Sequence, residues 1–366
     1  MGGYTERVFN RDLLKEAQVT LQHLVREAFG QETSVALREE MEKGASSRRY
    51  YRLTLNGASP AVPGRIVQMA LPDDAMKSDE ASASERFDEL PFVNVQRHLK
   101  NAGLPVPEIF LDATARGHVL LEDLGELTFN ANLRGKGPDE VGAWYEAAVD
   151  LLSTMHDTMW PVAGNCYAGR RFFDYALLRW ELDHFREWGV EARLDCVLPP
   201  RIRETLDGVF DAFAAEIDQL PKGFVHRDYQ SRNLMVKHHA PSPDSLAIID
   251  FQDALTGPRT YDLVALLNDS YVDLNAEVQQ RLIERYARNR RLPADEIQRE
   301  FDLITVQRKL KDGGRFIFID RVKGDSSFLP FVDKSFSRVK SALLRIDGHR
   351  DLKEILARVA PESFGQ

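Results

Sequence analysis

Over residues 10–29 the apolar positions Leu13, Leu14, Ala17, Leu21, Leu24, Val25 and Ala28 recur at three- and four-residue spacing, and Gly30 ends the pattern. That period predicts an amphipathic helix. The pattern then changes to strand type. Residues 34–55 read as two β segments joined through 42–48, and 64–71 (GRIVQMAL) as a third, short apolar strand. The stretch 72–89 is polar with Phe87 as its one aromatic and predicts a mobile surface loop. A helix is expected over 92–100, closed by 101–103, and two more β-type runs follow at 104–113 and 117–125. From 139 onward the helical period dominates, over 139–160, 174–192, 200–219, 262–272, 276–291, 294–310 and 332–345. Two β-like runs interrupt it, FVHRDYQSRNLMVK (224–237) and SLAIIDFQDALTGP (245–258), with a Pro- and Ser-bearing turn between them. A β-rich first lobe (1–124) and a helical second lobe (125–366) with an embedded hairpin make an α+β, two-lobe fold.

Composition adds exclusions. The 366 residues are 43% hydrophobic and 29% charged, enough apolar material for sizeable cores. Acidic residues outnumber basic ones 57 to 48, so the net charge of −9 gives no general affinity for nucleic acid or anionic membrane. Cys166 and Cys196 make neither a disulfide framework nor a CxxC pair. There is no run of about 18 apolar residues, the first residues lack a signal-peptide core, and Glu6 stands where a myristoylation motif needs Ser or Thr. The expectation is a cytoplasmic protein acting on small molecules, with no nucleic acid, membrane or protein partner implied.

Chemistry concentrates in one place. His226-Arg227-Asp228 is followed five residues after the Asp by Asn233, and Asp250-Phe251 ends the next apolar strand. Phosphoryl transfer needs a loop that offers one carboxylate to a substrate hydroxyl while an amide and a second carboxylate hold Mg²⁺ on the ATP phosphates. Asp228 suits the base, and Asn233 and Asp250 supply the oxygen donors a hard cation wants. Each element alone reads equally well as a polar turn or a strand end; the ordered set is what points to catalysis.

VHRDYQSRNLMV (225–236), IIDFQDALTGPRTYDLVALLNDSY (248–271), LLEDLG (120–125), RWELDHFREW (179–188) and VQRKLKDGGRFIF (306–318) together resemble segments of the aminoglycoside/choline phosphotransferases, relatives of the protein kinases. The likeness is strongest to their bacterial branch of anomeric sugar kinases for N-acetylmuramate and N-acetylglucosamine, which serve peptidoglycan recycling. It runs from about residue 40 to 345.

The resemblance implies a protein-kinase-like fold, ATP as co-substrate and Mg²⁺ as cofactor, and a sugar acceptor. It implies that the backbone of Glu122, Asp123 and Leu124 takes the adenine edge, although LLEDLG alone is equally a strand ending in an acidic turn. It implies that loop 44–49, with Ser46, Ser47 and Arg48, covers the phosphates, although one glycine makes it equally a plain hairpin turn. His226 and Asp262 are implied as braces of the catalytic loop. For the acceptor, Tyr229 and Arg232 lie nearest the chemistry. Glu181, Asp183 and Trp188 sit on one helical segment, with Glu181 and Trp188 seven apart and so on one face; the plainer alternative makes Trp180, Phe185 and Trp188 core and the acids surface.

One departure stands out. Aminoglycoside-type relatives pair a strand Lys with a helix Glu, and here that strand offers Gln68 and Met69, with Phe92 near the expected Glu. The absence is read as a feature of the sugar-kinase branch. Alternatives are a phosphotransferase for another hexose, choline or an aminoglycoside, and a catalytically silent nucleotide-binding regulator.

Overall fold

The computed structural model describes residues 19–41, 48–57, 59–72 and 88–365. The expected loop 72–89 and the turn 42–48, with Ser46 and Ser47, fall almost wholly outside the described residues. The chain divides into two compact units: one runs to Arg97 and resumes over Val106–Gly125, and the other takes His98–Pro105 and the chain from Glu126 on.

The first unit is a five-stranded antiparallel sheet of β1 (Ser34–Glu40), β2 (Arg49–Asn56), β3 (Arg65–Ala70), β4 (Ile109–Ala113) and β5 (His118–Glu122), in the order β1-β2-β3-β5-β4. Alternation decides its faces. Tyr51, Leu53 and Leu55 of β2, Ile66 of β3 and Leu120 of β5 point one way, onto Leu21, Leu24 and Val25 of helix α1 (19–29). The helical period at the N-terminus and the strand alternation therefore build one core. Helix α2 (Pro91–Asn101) follows the sheet's first three strands.

The departure at β3 is internally satisfied. Gln68 is 1% exposed; its Oε1 accepts from Arg38 Nε at 3.1 Å and its amide nitrogen meets His118 Nδ1 at 3.1 Å. Met69 is fully buried. The strand thus fills the space with an amide and a thioether that need no counter-ion.

The second unit is helical: α3 (Phe129–Asn132), α4 (Pro138–Thr158), α5 (Tyr175–His184), α6 (Pro200–Asp218), α7 (Tyr261–Leu267), α8 (Ala276–Asn289), α9 (Ala294–Lys323), α10 (Val332–Arg345), α11 (Arg350–Val359) and α12 (Pro361–Phe364). Between α6 and α7 lie four short strands. β6 (Lys222–Val225) pairs with β9 (Leu255–Pro258), and β7 (Leu234–Val236) pairs with β8 (Leu246–Ile248). The two long β runs of the sequence are thus two nested pairs, and the residues between β6 and β7 and between β8 and β9 are the polar loops.

Three helices differ from expectation. The segment 174–192 is α-helical only to His184 and π-helical over Phe185–Ala192, which alters the face each residue presents. α7 stops at Leu267 instead of 272. α9 continues past 310 through Gly313-Gly314 to Lys323, against the low helix propensity of glycine. The glycines are required by close packing: a Cβ on Gly313 would lie 2.3 Å from the Phe336 ring, and one on Gly314 would lie 2.9 Å from the Phe185 Cα.

Candidate active site

The loop from β6 to β7 is held from below by one carboxylate. Asp262, in the first turn of α7 and fully buried, accepts from His226 N at 2.7 Å and Arg227 N at 3.0 Å. Its Oδ2 also lies 3.2 Å from His156 Nε2 on α4, and His156 Nδ1 lies 2.7 Å from the Tyr286 hydroxyl. Two backbone donors of a tight loop, which no strand partner could satisfy, are thereby paired. Arg227 consequently sits at φ +76°, a conformation non-glycine residues rarely adopt.

His226 ties that loop to the second. Asp228 N donates to His226 Nδ1 at 3.3 Å, which leaves the ring's Nε2–H to donate to Ile249 O at 3.0 Å. Ile249 precedes Asp250, the second left-handed residue of the site at φ +67°. Asn233 completes the bridge: its Nδ2 donates to Asp228 O at 2.8 Å and approaches Asp250 Oδ2 at 3.3 Å. With Nδ2 so engaged, Asn233 Oδ1 remains as an acceptor beside the Asp250 carboxylate. Gln252 Nε2 donates to Asp250 Oδ1 at 2.9 Å, and Arg171 holds the Gln252 carbonyl at 2.8 Å.

The two carboxylates are driven in opposite directions. Asp228, with half its side chain exposed, loses some solvation to the surrounding protein. The nearby Arg308, Lys311 and Arg227 cations outweigh that loss and hold its pKa below the usual carboxylate value. Asp250 is pushed up, first by the protein crowding it and then by the Asp228 charge, with the Gln252 hydrogen bond opposing. The ionised form is favoured in one group and disfavoured in the other.

Arg308 and Lys311 carry no role in the sequence reading. Arg308, 1% exposed on α9, donates to Arg227 O at 2.9 Å, stands 3.4 Å from Asp228 Oδ1, and lies 4.7 Å over the Tyr261 ring. A signal was present in the cations Arg308, Lys309 and Lys311, crowded into four positions between the apolar-rich stretches 303–306 and 316–319 of one helix. Lys309 is the structural one of the three: buried, it pairs with Asp312 at 2.8 Å, and burial pushes its pKa down to about 8.

The acceptor candidates separate. Tyr229 is fully buried and donates its hydroxyl to Ala148 O at 3.0 Å, so it packs the loop and presents no face to a ligand. Asp183 is taken up by Arg179 and Arg186, each at 2.5 Å. Arg232 is exposed and lies 3.5 Å over the Tyr271 ring, while Ser231 beside it bonds Asp269 through both N and Oγ. Glu181 is 1% exposed, accepts from Gln307 Nε2 at 2.6 Å and lies 3.9 Å from Arg227, next to the catalytic loop but committed to it. Trp188 is half-buried against Phe318, with ring centroids 5.0 Å apart. Across the π-helical stretch that begins at Phe185, Glu181 and Trp188 both still meet α9, at Gln307 and Phe318. Trp180, given to the core in the alternative reading, is 54% exposed.

In the first unit, the acidic turn after β5 is internally braced. Arg52 grips Asp123 at 2.9 and 3.1 Å and donates to Gly125 O at 3.0 Å, and Glu122 Oε2 accepts from Glu108 N at 3.0 Å. The Glu122 and Asp123 side chains are thus occupied, and Leu124 is half-buried. Arg48, the described member of the preceding turn, is half-buried ahead of β2.

The model of the phosphotransferase enzyme family matches residues 38–297. The chain is 33% identical over 274 residues to an N-acetylmuramate/N-acetylglucosamine kinase of Pseudomonas aeruginosa, covering 73% of this chain and 77% of that protein. It is 30% identical over 302 residues to the kinase of the same name from Neisseria meningitidis, covering 79% and 80%. Among solved structures, an ethanolamine kinase of Plasmodium vivax superposes with a TM-score of 0.58 at 14% identity, over 88% of this chain and 85% of that one. The phosphotransferase APH(2″)-IIa, solved with streptomycin and ATP, gives 0.55 at 13% identity, over 86% and 95%. The fold is that of the protein-kinase-like phosphotransferases. Two loops joined through His226 and Asn233, the first of them braced by Asp262, carry an ionised Asp228 beside the Asn233–Asp250 oxygens, and with the family model matched over 38–297 the chain belongs to the phosphotransferase enzyme family.

Proposed function

We propose that the protein transfers the γ-phosphoryl group of ATP to the anomeric hydroxyl of an N-acetyl amino sugar, N-acetylmuramate or N-acetylglucosamine, in the cytoplasm and in the service of cell-wall recycling. The observation that carries the phosphoryl chemistry is the cation-held Asp228 facing Asn233 and Asp250. The choice of acceptor rests on the relatives at 30–33% identity.

Asp228 accepts the proton of the anomeric O–H; that oxygen forms its bond to the γ-phosphorus as the bond to the β-phosphate oxygen breaks, and ADP leaves with the electron pair. Arg308 orients Asp228 by gripping both its carboxylate and the preceding carbonyl. Asn233 Oδ1 and the Asp250 carboxylate fit Mg²⁺: two hard oxygens side by side, one of them on a carboxylate whose charge the neighbouring Asp228 opposes. Among the described residues no group of three or more His, Cys, Asp or Glu gathers, so nucleotide phosphates would supply further ligands. When bound, the ion neutralises charge on the phosphates. The backbone of 122–124 and loop 44–49 are the proposed nucleotide contacts.

The test measures ADP release with Mg-ATP and a panel of acceptors. N-acetylglucosamine or N-acetylmuramate should stimulate it, their methyl glycosides should not, and the product should carry phosphate at C1. Asp228→Asn should lower kcat by ~10²–10⁴, the range for loss of a general base. Phosphate at C6 or turnover of the methyl glycosides overturns the anomeric assignment; choline or an aminoglycoside as sole acceptor moves the protein to another branch; near-normal turnover by the variant removes Asp228 as base.

A further inference from the structure

Beyond Asp228, α5 with its π-helical extension and α9 run alongside one another in the same direction. Glu181 meets Gln307 at 2.6 Å beside the catalytic loop. Further along, Gly314 lies so close to Phe185 that a Cβ would stand 2.9 Å from the Phe185 Cα, and beyond that Trp188 meets Phe318 at 5.0 Å. The matched positions 181/307, 185/314 and 188/318 trace a seam leading away from the reacting carboxylate; it is closed by packing at its first two pairs and reaches the surface at Trp188 and Phe318.

Its two sides differ in chemistry. The α5 side is aromatic: Trp180, 54% exposed, stacks on His184 at 5.7 Å and 22°, and His184 adjoins Trp188 and Phe318. The α9 side is cationic. Arg308, Lys311 and Arg315 fall at i, i+3 and i+7, on one face of the helix. Lys311 and Arg315 stand about 4.5 and 10.5 Å beyond Arg308 along the axis. Lys311 is near enough for its charge to act on Asp228 and Glu181, and Arg315 lies 5.1 Å over the Phe318 ring, which joins the two sides.

Aromatic faces suit the apolar faces of a pyranose, and a row of cations beside them suits an anion. The two candidate sugars differ by one such group. N-acetylmuramate is N-acetylglucosamine with a lactyl ether on O3, so its carboxylate hangs from C3, two ring carbons from the anomeric centre. With the anomeric oxygen on Asp228, a pyranose resting on the exposed rim of the seam has its lactyl group within reach of the α9 cations. We infer that the acceptor lies over the rim of this seam, on the surface from Trp180 to Arg315, and that Lys311 and Arg315 recognise a carboxylate on the acceptor, favouring N-acetylmuramate over sugars without one. This rests on the sugar-kinase reading above.

The experiment compares kcat/KM for N-acetylmuramate, its lactyl methyl ester and N-acetylglucosamine in the wild type, in Arg315→Gln and in Lys311→Met/Arg315→Gln. The ester keeps the lactyl atoms, adds one methyl and removes the charge. In the wild type the acid should exceed the ester by ~10–150-fold, the worth of a charge-assisted hydrogen bond, mostly through KM. The acid-to-ester ratio should shrink in Arg315→Gln and approach one in the double variant, whatever happens to kcat. A purely structural role lowers both rates and leaves the ratio unchanged, which overturns the inference, as does a wild type that treats acid and ester alike. If the double variant does not fold, an unchanged ratio in Arg315→Gln alone is sufficient to refute it. Failure of the sugar-kinase reading looks different: no sugar is then turned over at all while another acceptor is, and the inference falls with it.

Discussion

Asp262→Asn is the sharpest test of how the loop is built, because the substitution keeps size and removes one acceptor. In the wild type, Oδ1 accepts from Arg227 N and Oδ2 accepts from His226 N with the carboxylate fully buried. An asparagine can satisfy one of these donors through its oxygen; its NH₂ must then face the other, leaving a buried N–H orphaned. That orphan costs about 1–3 kcal/mol, and the remaining bond, no longer charge-assisted, weakens by about 1 kcal/mol. A loss of ~3 kcal/mol lowers Tm by roughly 6–12 °C in a unit of this size. Catalysis should suffer separately, since the clamp holds Arg227 at φ +76° immediately before Asp228. A displacement of ~1 Å at the base costs on the order of 100-fold. Thermal unfolding of the nucleotide-free protein and steady-state kcat are the two readings. A Tm within ~1 °C of wild type would refute the clamp, and a lowered Tm with unchanged kcat would show that it holds the fold without positioning the base.

Two further outcomes follow from charges placed close together. Asp250 has a folded pKa raised above its unfolded value, so its ionised form opposes folding above the ordinary carboxylate range and the opposition fades as pH falls. Asp250→Asn should therefore raise the Tm of the metal-free protein at neutral pH and abolish its stabilisation by Mg²⁺ with nucleotide; a lower Tm would contradict the raised pKa. Gln68→Lys would place a buried cation where Arg38 now donates to an amide oxygen. It should cost ~3–5 kcal/mol, seen as earlier thermal unfolding, with no gain in kcat/KM; a gain would show that the site lacks a phosphate-binding charge.

What the sequence determined by itself was whatever depends on local order. The 3.6 and 2.0 periods placed the helices and strands because burial of one face is a local repeat. The triad Asp228, Asn233 and Asp250 was legible because a loop and the strands on either side of it set their separation. Tertiary structure decided what depends on distant segments meeting. Gly313-Gly314 would end a helix on propensity, yet Phe185 and Phe336 packed against them keep α9 running. The π-helical turn over Phe185–Ala192 is one that no periodicity announces. Tyr229, four residues before the metal-site candidate Asn233, turns into the core because the Ala148 carbonyl is there to receive it. Arg308 acquires its place at Asp228 from 80 residues away, since a charge can remain inside a protein only where the fold brings it a partner.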